Sequence, residues 1–494
     1  MVRKGLVLVP GAPRAALLDL LIENGRIREV GPPGMAAPAD AELIDADDRL
    51  IVPGLVNAHT HAHGGLGKGL VGDRFPLEMF LTGAGALNGS RTLDDKYLSA
   101  RLSAVEMLHK GCTAAYDLFV EYPIPSVEGV DAVARAYRDV GMRAVIAPMI
   151  ADRTLYQAYP GLVDALPEAL RDGARRAAAA PYAETLRACR KILDNWSFDR
   201  DIVRPALGPT IPMHCSDEFL IGCRDLAHEF EVGIQTHLAE SAAQATIARK
   251  RYGKSLTAHL AGLGLLGERF SGAHAIWVDG DDMRLIADAG GAVAHNPLSN
   301  LRLGSGVAAV RAMLDCGLTV GIGTDAANTS DTQNMFEAAR LASYLSRIGG
   351  PDYHQWLSAE EAFTLATTGS ARLLGFAGKL GAIVEGAFAD LVFIDLGHIN
   401  YVPLRDALLQ LMNGESGTAV DAVMVGGRFV LRDGRLLTVD EAKLRREAES
   451  ARDRLDGANQ GARRIAHALE DWVGEFCVAQ ARRPGLPQRH LAHE

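Results

Sequence analysis

A chain of 494 residues, 48% hydrophobic and 23% charged, has the make-up of a soluble globular protein with a large core, which argues against disorder and against a disulfide-stapled miniature fold. A formal net charge of −10 argues against a nucleic-acid partner, which calls for a basic face. No run of about 18 apolar residues marks a membrane span, and six cysteines without a C-x-x-C pair read as reduced thiols; a cytoplasmic protein with no membrane partner is expected.

The N-terminus, MVRKGLVLVPGAPR, breaks at Pro10-Gly11 after a very short apolar run and reads as a strand rather than a signal peptide. Leu20-Leu21-Ile22 then leads into Asn24-Gly25, a two-residue hairpin signal, and on to Ile27 and Val30. From about residue 51 the pattern changes. Short apolar runs at 50–57, 113–118, 143–148, 203–209, 232–238, 273–278, 292–295 and 319–324 predict strands, and helix-like stretches such as 98–109, 127–140, 216–230 and 335–346 follow them. Eight such units in about 320 residues suit an α/β fold of the (β/α)8 TIM-barrel type, which takes about 250 residues plus insertions. Pattern alone leaves a doubly wound sheet open.

Residues 151–185 interrupt the alternation. They are expected either to loop over the catalytic face as a pocket wall or lid, or to form a solvated surface helix. Residues 380–436 return to strands, with 389–393 followed by hairpins at Gly426-Gly427 and Asp433-Gly434. The expected organisation is therefore a small β-sandwich built from 1–52 and 379–437, with the barrel of 53–378 inserted between its halves. Residues 438–494 are expected to add a polar helix on the outside or at a subunit contact, and a tail from Arg483 that is mobile unless a partner holds it.

Chemistry-bearing residues fall at the predicted strand ends. His59 and His61, two apart on a strand, face the same way and can share one metal ion. His63 continues the alternation, as a third ligand or as pocket lining. His237 ends the fifth strand, and Glu240 follows where strand gives way to loop. A carboxylate there can move a proton from water to a leaving group, or can simply favour a helix N-terminus. His274 falls in the sixth strand and Asp325 ends the eighth, the end of a barrel strand where polar residues serve the site. Three neutral nitrogens and one carboxylate suit one divalent metal ion, Zn²⁺ first, with Fe²⁺ or Mn²⁺ as alternatives.

Pro53-Gly54-Leu55-Val56-Asn57-Ala58-His59-Thr60-His61, then THLAES, His274, HNPLSNLRLGSG and GTDAA, together resemble the amidohydrolase superfamily. The resemblance covers nearly the whole chain and is strongest to the aminohydrolase branch of guanine, cytosine and adenosylhomocysteine deaminases and triazine hydrolases. It implies metal ligation by His59, His61, His237 and Asp325, proton transfer by Glu240, and orientation of water by His274. It also implies that Asp325 accepts a proton from the attacking water. Many members carry a lysine on strand four that holds a second metal. Here that strand, 203–209, has none, so a single-metal site is expected. Two stretches depart from the adenosylhomocysteine deaminases. Pro209-Thr210-Ile211-Pro212-Met213 replaces their histidine-bearing turn, and Leu77-Glu78-Met79-Phe80 replaces their tryptophan-bearing segment.

The expected activity is hydrolysis of a C–N bond in a small aminated heterocycle of purine, pterin, pyrimidine or triazine type, releasing ammonia or an amine. Thr210, His295 and Asn328 are candidate substrate contacts, with Ser330 beside them. The alternatives are the same machinery acting on a chloride, thiocarbamate, urea or amide, and a non-catalytic barrel scaffold. Specificity is expected in loops 62–92, 119–126, 151–185 and 326–334, and a homodimer or higher homo-oligomer is the expected assembly.

Overall fold

The computed structural model describes residues 1–9, 14–482 and 485–490. At its centre lies a parallel sheet whose strands follow sequence order: Leu55–His61, Cys112–Val120, Arg143–Ile150, Val203–Pro209, Gly233–Leu238, Phe270–His274, Ala292–His295 and Thr319–Ile322. Three residues beyond the last of these, Asp325 and Ala326 pair with Thr60 and His61 of the first. The sheet thus curls back toward its own beginning, and the fold is TIM-barrel-like. Its strands are apolar on both faces because helices cover the outside while side chains fill the inside. All nine residues of Cys112–Val120, for example, are buried. The covering helices start at side-chain caps, Thr92 for Leu93–His109, Ser126 for Val127–Val140 and Ser216 for Asp217–Phe230.

Two strand expectations are corrected. The run 50–57 is two strands, not one. Arg49–Pro53 belongs to a second sheet and Leu55–His61 to the first. The chain changes sheets at Gly54, where a Cβ would meet the Thr113 side chain at 2.1 Å. The run 273–278 is extended only as far as His274. The strand is Phe270–His274, and the buried residues beyond it turn away at His274 and Ala275, with φ of 68° and 47°. Both misplacements have one cause: burial makes a sequence apolar whether or not its backbone is extended.

The second sheet is separate and mixed. It takes Val2–Val7, Ala16–Glu23, Arg26–Gly31, Ile44–Asp45 and Arg49–Pro53 from one end of the chain, and Leu391–Asp395, Val420–Val425, Arg428–Arg432 and Arg435–Leu436 from the other. The two ends join where Arg49–Pro53 pairs antiparallel with Leu391–Asp395. Val2, Leu20, Ile27, Ile51, Leu391, Phe393 and Met424 share a core of their own here. Asn24 and Gly25 both take positive φ, 52° and 77°, as the two-residue hairpin requires.

Residues 151–185 are not one solvated helix. They form short helices at Leu155–Ala158, Leu162–Ala165 and Glu168–Arg176, with Tyr159 fully buried between the first two. The Tyr159 hydroxyl donates to Glu78 Oε1 at 3.3 Å. The C-terminal stretch forms two helices, Glu441–Ala458 and Gln460–Ala481. The second packs on Leu77–Asn88, with Gly474 against Met79. Residues 485–490 of the tail lie against the rest of the chain. The Arg489 guanidinium donates to the carbonyls of Ile276 and Val278, so the chain's own loops hold this stretch. Residues 483–484 and 491–494 lie outside the described residues. No helix among the described residues is long and apolar enough to cross a membrane.

One buried ion pair ties the two sheets. Arg143, which begins the third parallel strand, donates through Nε and Nη2 to Asp390 at 2.9 and 3.1 Å. Both side chains are almost wholly buried, and Asp390 also accepts from Gly426 N at 2.8 Å. Removing one partner strands the other charge in the interior. Asp390→Ala is therefore expected to lower the unfolding free energy by about 3–5 kcal/mol, read by urea denaturation; a loss under about 1 kcal/mol, the level of an exposed pair, would show that the pair does not lock the sheets.

Candidate metal centre and active site

His59 and His61 alternate on Leu55–His61 and point to one face. His237 stands one residue before the end of Gly233–Leu238, His274 ends its strand, and Asp325 lies three residues beyond Thr319–Ile322. At these ends the backbone enters the left-handed region: φ is 45° at Ala239, 68° at His274, 47° at Ala275 and 61° at Asp325. Such conformations cost non-glycine residues of order 1–3 kcal/mol each and concentrate at functional sites. They break the strands where the side chains enter the site.

The imidazoles are fixed from behind. Nδ1 of His59 donates to Gln235 Oε1 at 2.7 Å, Nδ1 of His61 to the Leu118 carbonyl at 2.5 Å, and Nδ1 of His237 to the Thr210 carbonyl at 2.5 Å. With the proton on Nδ1, each neutral ring turns an Nε2 lone pair forward. Nε2 of His61 and of His237 are 3.1 Å apart, and Nε2 of His59 is buried with no partner. Asp325 Oδ1 lies 3.2 Å from His61 Nε2 and 3.7 Å from His59 Nε2. Burial, with the neighbouring His59, pushes His61 down to about 4 and His237 well below the usual imidazole range, so both rings are neutral. Burial alone would raise Asp325, but its closeness to the His59, His61 and His274 imidazoles holds it well below the carboxylate range.

This donor set fits a divalent metal. Ligating atoms of His59, His61 and His237 lie within 4.8 Å of one another, as do those of His59, His274 and Asp325. Tetrahedral zinc with nitrogens at about 2.0–2.1 Å sets those nitrogens about 3.3 Å apart. Two lone pairs as close as those of His61 and His237 repel unless a cation lies between them.

The other predicted residues divide. His274 Nε2 is 3.7 Å from Glu240 Oε2 and 3.9 Å from Asp325 Oδ2, and His274 Nδ1 donates to Asn300 Oδ1 at 2.8 Å. Burial, then the charges of Asp325 and Glu78, raise Glu240 well above its usual range. Thr210 and His63 line the same cavity, with His61, His237, Glu240 and Asp325. His63 lies in the turn Ala62–Gly67 and belongs to neither group of convergent ligand atoms. His295 lines a neighbouring cavity instead. Asn328 packs under the 64–67 turn, where a Cβ on Gly64 would meet its Oδ1 at 2.7 Å. Ser330 donates to backbone carbonyls of Ala326 and Thr332.

Several supporting residues escaped the sequence reading. Gln235 shares the face of His237 by the same two-residue alternation, a signal that was available. Ser299 and Asn300 stand inside the HNPLSNLRLGSG motif, where Ser299 donates to Asp325 and Asn300 holds His274. Gln333, which accepts from Thr60 Oγ1 at 2.7 Å and donates to the Asp325 carbonyl at 2.8 Å, gave no signal at all.

The Amidohydrolase family model matches residues 50–430, a span that carries every one of these candidate ligands. This chain belongs to the amidohydrolase family. This amidohydrolase is 32% identical to a 5-methylthioadenosine/S-adenosylhomocysteine deaminase of Pyrococcus abyssi over 444 residues, 90% of this chain and 96% of that one. It is 31% identical to a 5'-deoxyadenosine deaminase of Methanothermobacter thermautotrophicus, over 89% and 95% of the two chains. Among solved structures it resembles an adenosine deaminase of Xanthomonas campestris with bound zinc, with a TM-score of 0.80 and 27% identity over 92% of this chain and 98% of that one. It also resembles an atrazine chlorohydrolase of Arthrobacter aurescens complexed with zinc, with a TM-score of 0.80 and 26% identity over 91% and 99%. The amidohydrolase is thus a metal-binding hydrolase of carbon–nitrogen bonds.

Gln235 gives the support of the site a direct test. It accepts from His59 while its Nε2 donates to the Ala58 carbonyl at 3.1 Å and to Ser271 Oγ at 3.0 Å. Gln235→Leu is expected to weaken metal affinity about 10–100-fold with the fold intact, measured by competition with a chromogenic chelator. Wild-type affinity in that variant would leave the His59 ring oriented by something else.

Proposed function

We propose that this amidohydrolase is a single-metal deaminase, with His59, His61, His237 and Asp325 as ligands and zinc as the metal, acting on a small aminated heterocycle of the purine type. The observation that carries the reading is the place of His274 Nε2, within 4 Å of both the Glu240 and the Asp325 carboxylates and beside the three convergent imidazoles. The zinc-bound neighbours and the deaminase relatives support it. So does the absence of lysine from Val203–Pro209, which leaves no ligand there for a second ion. The same reading treats the curled sheet as a (β/α)8 barrel over 53–378 and the mixed sheet as a sandwich from 1–52 and 379–437.

When bound, a divalent metal supplies Lewis acidity that brings the pKa of water toward neutrality. The chain's own groups do the rest. His274 is held at about 4, chiefly by burial, and its Nδ1 proton is committed to Asn300. Its Nε2 is therefore an acceptor that can take one O–H of the attacking water and orient the oxygen. Asp325, ionised, can accept the other proton. Glu240 sits where it can carry a proton to the departing nitrogen, and its raised pKa keeps that proton available at neutral pH. Attack on the amino-bearing sp² carbon and loss of ammonia follow.

The cavity over these groups holds only about 60 Å³, whereas pockets for small molecules run to about 300–1,000 Å³. Its outer wall is Leu77, Phe80, Leu81, Ala84 and Asn88 of helix Leu77–Asn88, so the position of this helix sets how large a ring the cavity admits. The apolar wall, with Met149, Ile211 and Leu303 opposite, favours a second reading in which a neutral ring loses chloride instead of ammonia.

Glu240→Gln is expected to keep metal content and fold while ammonia release falls about 10²–10⁴-fold; turnover near the wild-type rate would remove Glu240 from proton transfer. The parent reading is tested by a screen of adenine-type nucleosides and free aminated rings. Ammonia release supports the deaminase, and chloride release from chlorinated triazines without any ammonia replaces it with the second reading.

A further inference from the structure

We propose that Arg489, in the stretch beyond the C-terminal helix, is a positioning residue for His274. Arg489 Nε donates to the Ile276 carbonyl at 2.7 Å and Nη2 to the Val278 carbonyl at 2.8 Å. Ile276 and Val278 are fully buried, and among the described residues no other donor reaches these two oxygens. Buried carbonyls are costly to leave unpaired, so the guanidinium fork completes this loop rather than decorating it. The loop starts at His274 and Ala275, whose left-handed backbone needs support from its surroundings.

The same residue reaches the other side of His274. The Arg489 carbonyl accepts from Val307 N at 2.8 Å. A Cβ on Gly306 would come within 3.0 Å of that oxygen, and Gly306 has a φ of 117°, so the sequence at 306 is suited to this close approach. Residues 304–307 continue from helix Pro297–Arg302, which carries Asn300, the acceptor for His274 Nδ1, and Ser299, the donor to Asp325. Two further bonds tie the assembly together. Trp277 Nε1 donates to the Ser305 carbonyl at 2.8 Å, and Trp277 N donates to the Ala239 carbonyl at 3.0 Å, next to Glu240. His490 lies against the Trp277 ring, with centroids 5.1 Å apart. Arg489 thus clamps the loop that follows His274 onto the loop that follows its Asn300 partner. It touches neither the metal ligands nor the cavity above them.

The test compares full-length, zinc-loaded wild type with Arg489→Ala and Arg489→Lys. It rests on the proposed hydrolysis for its kinetic arm only, with ammonia release from 5'-deoxyadenosine as the probe reaction. In Arg489→Ala, hydrogen–deuterium exchange is expected to speed up in peptides covering 274–280 and 303–308 and nowhere in the other parallel strands. Zinc content stays at the wild-type level, and kcat falls about 10–100-fold, the scale of a catalytic group displaced by about 1 Å, with KM little changed. Arg489→Lys keeps the charge but lacks the planar fork, so it falls between the two. Added guanidinium, at concentrations that leave wild type unaffected, restores part of the lost kcat in Arg489→Ala. Unchanged exchange at 274–280 overturns the proposal. So does a loss of activity that comes with zinc loss, with uniformly faster exchange, or without any guanidinium rescue. If wild type fails to release ammonia, the proposed function is what fails, and the exchange pattern alone decides whether Arg489 positions His274.

Discussion

Lone pairs gathered at one buried point repel, and that repulsion is the constraint around which this molecule is built. Three imidazoles face one another across 3–5 Å with an ionised carboxylate beside them. Water cannot screen them there. Only a cation makes the arrangement favourable, and only a rigid frame keeps the rings from turning away in its absence. The frame is supplied by acceptors that cannot move far: two backbone carbonyls at strand ends and one glutamine amide that is itself bound on its other side. The left-handed turns at Ala239, His274 and Asp325 belong to the same design. They spend local backbone stability to bring side chains from separate strands to one place.

A second layer controls what reaches that place. Helix Leu77–Asn88 closes the cavity and is held by Glu78, whose buried carboxylate accepts from Ser241 and Tyr159. The C-terminal helix backs it, with Asn459 donating to the Gly89 carbonyl at 3.1 Å. Segments with no chemistry of their own, the 151–185 insertion and the C-terminal helices, therefore pack against the helix that walls the cavity. Ser241, which donates to Glu78, directly follows Glu240, so the anchor of helix Leu77–Asn88 and the buried Glu240 carboxylate share a turn of backbone.

The sequence was most legible where one pattern carried one meaning. His59 and His61, His237, His274 and Asp325 each end an apolar run, and the structure brings them together. The hairpin at Asn24-Gly25 was equally plain, because its positive φ values restrict the residues that fit. Legibility failed where a single property has two causes. The run 50–57 is apolar throughout, yet it serves two sheets. The run 273–278 is buried throughout, yet it is extended only to His274. Substrate contacts were poorly legible for a related reason. His295 stands at a strand end like His274, but one strand further round, and it lines a different cavity. Gln333 and Arg489 act through backbone carbonyls, and any sequence can present a carbonyl, so nothing in the pattern announces them.

The mixed sheet has a consequence for how the chain is made. Arg49–Pro53 finds its partner, Leu391–Asp395, about 340 residues later. At about 5–20 residues per second, a ribosome takes roughly 20–70 s to deliver it. Throughout that interval the N-terminal hairpins have one edge without a partner, the kind of edge that pairs with neighbouring nascent chains. The eight parallel strands, each pairing with the next, can assemble meanwhile. Assembly of the sheets therefore runs from the middle outward, and the N-terminal strands are the region of this protein that a chaperone would have most reason to hold.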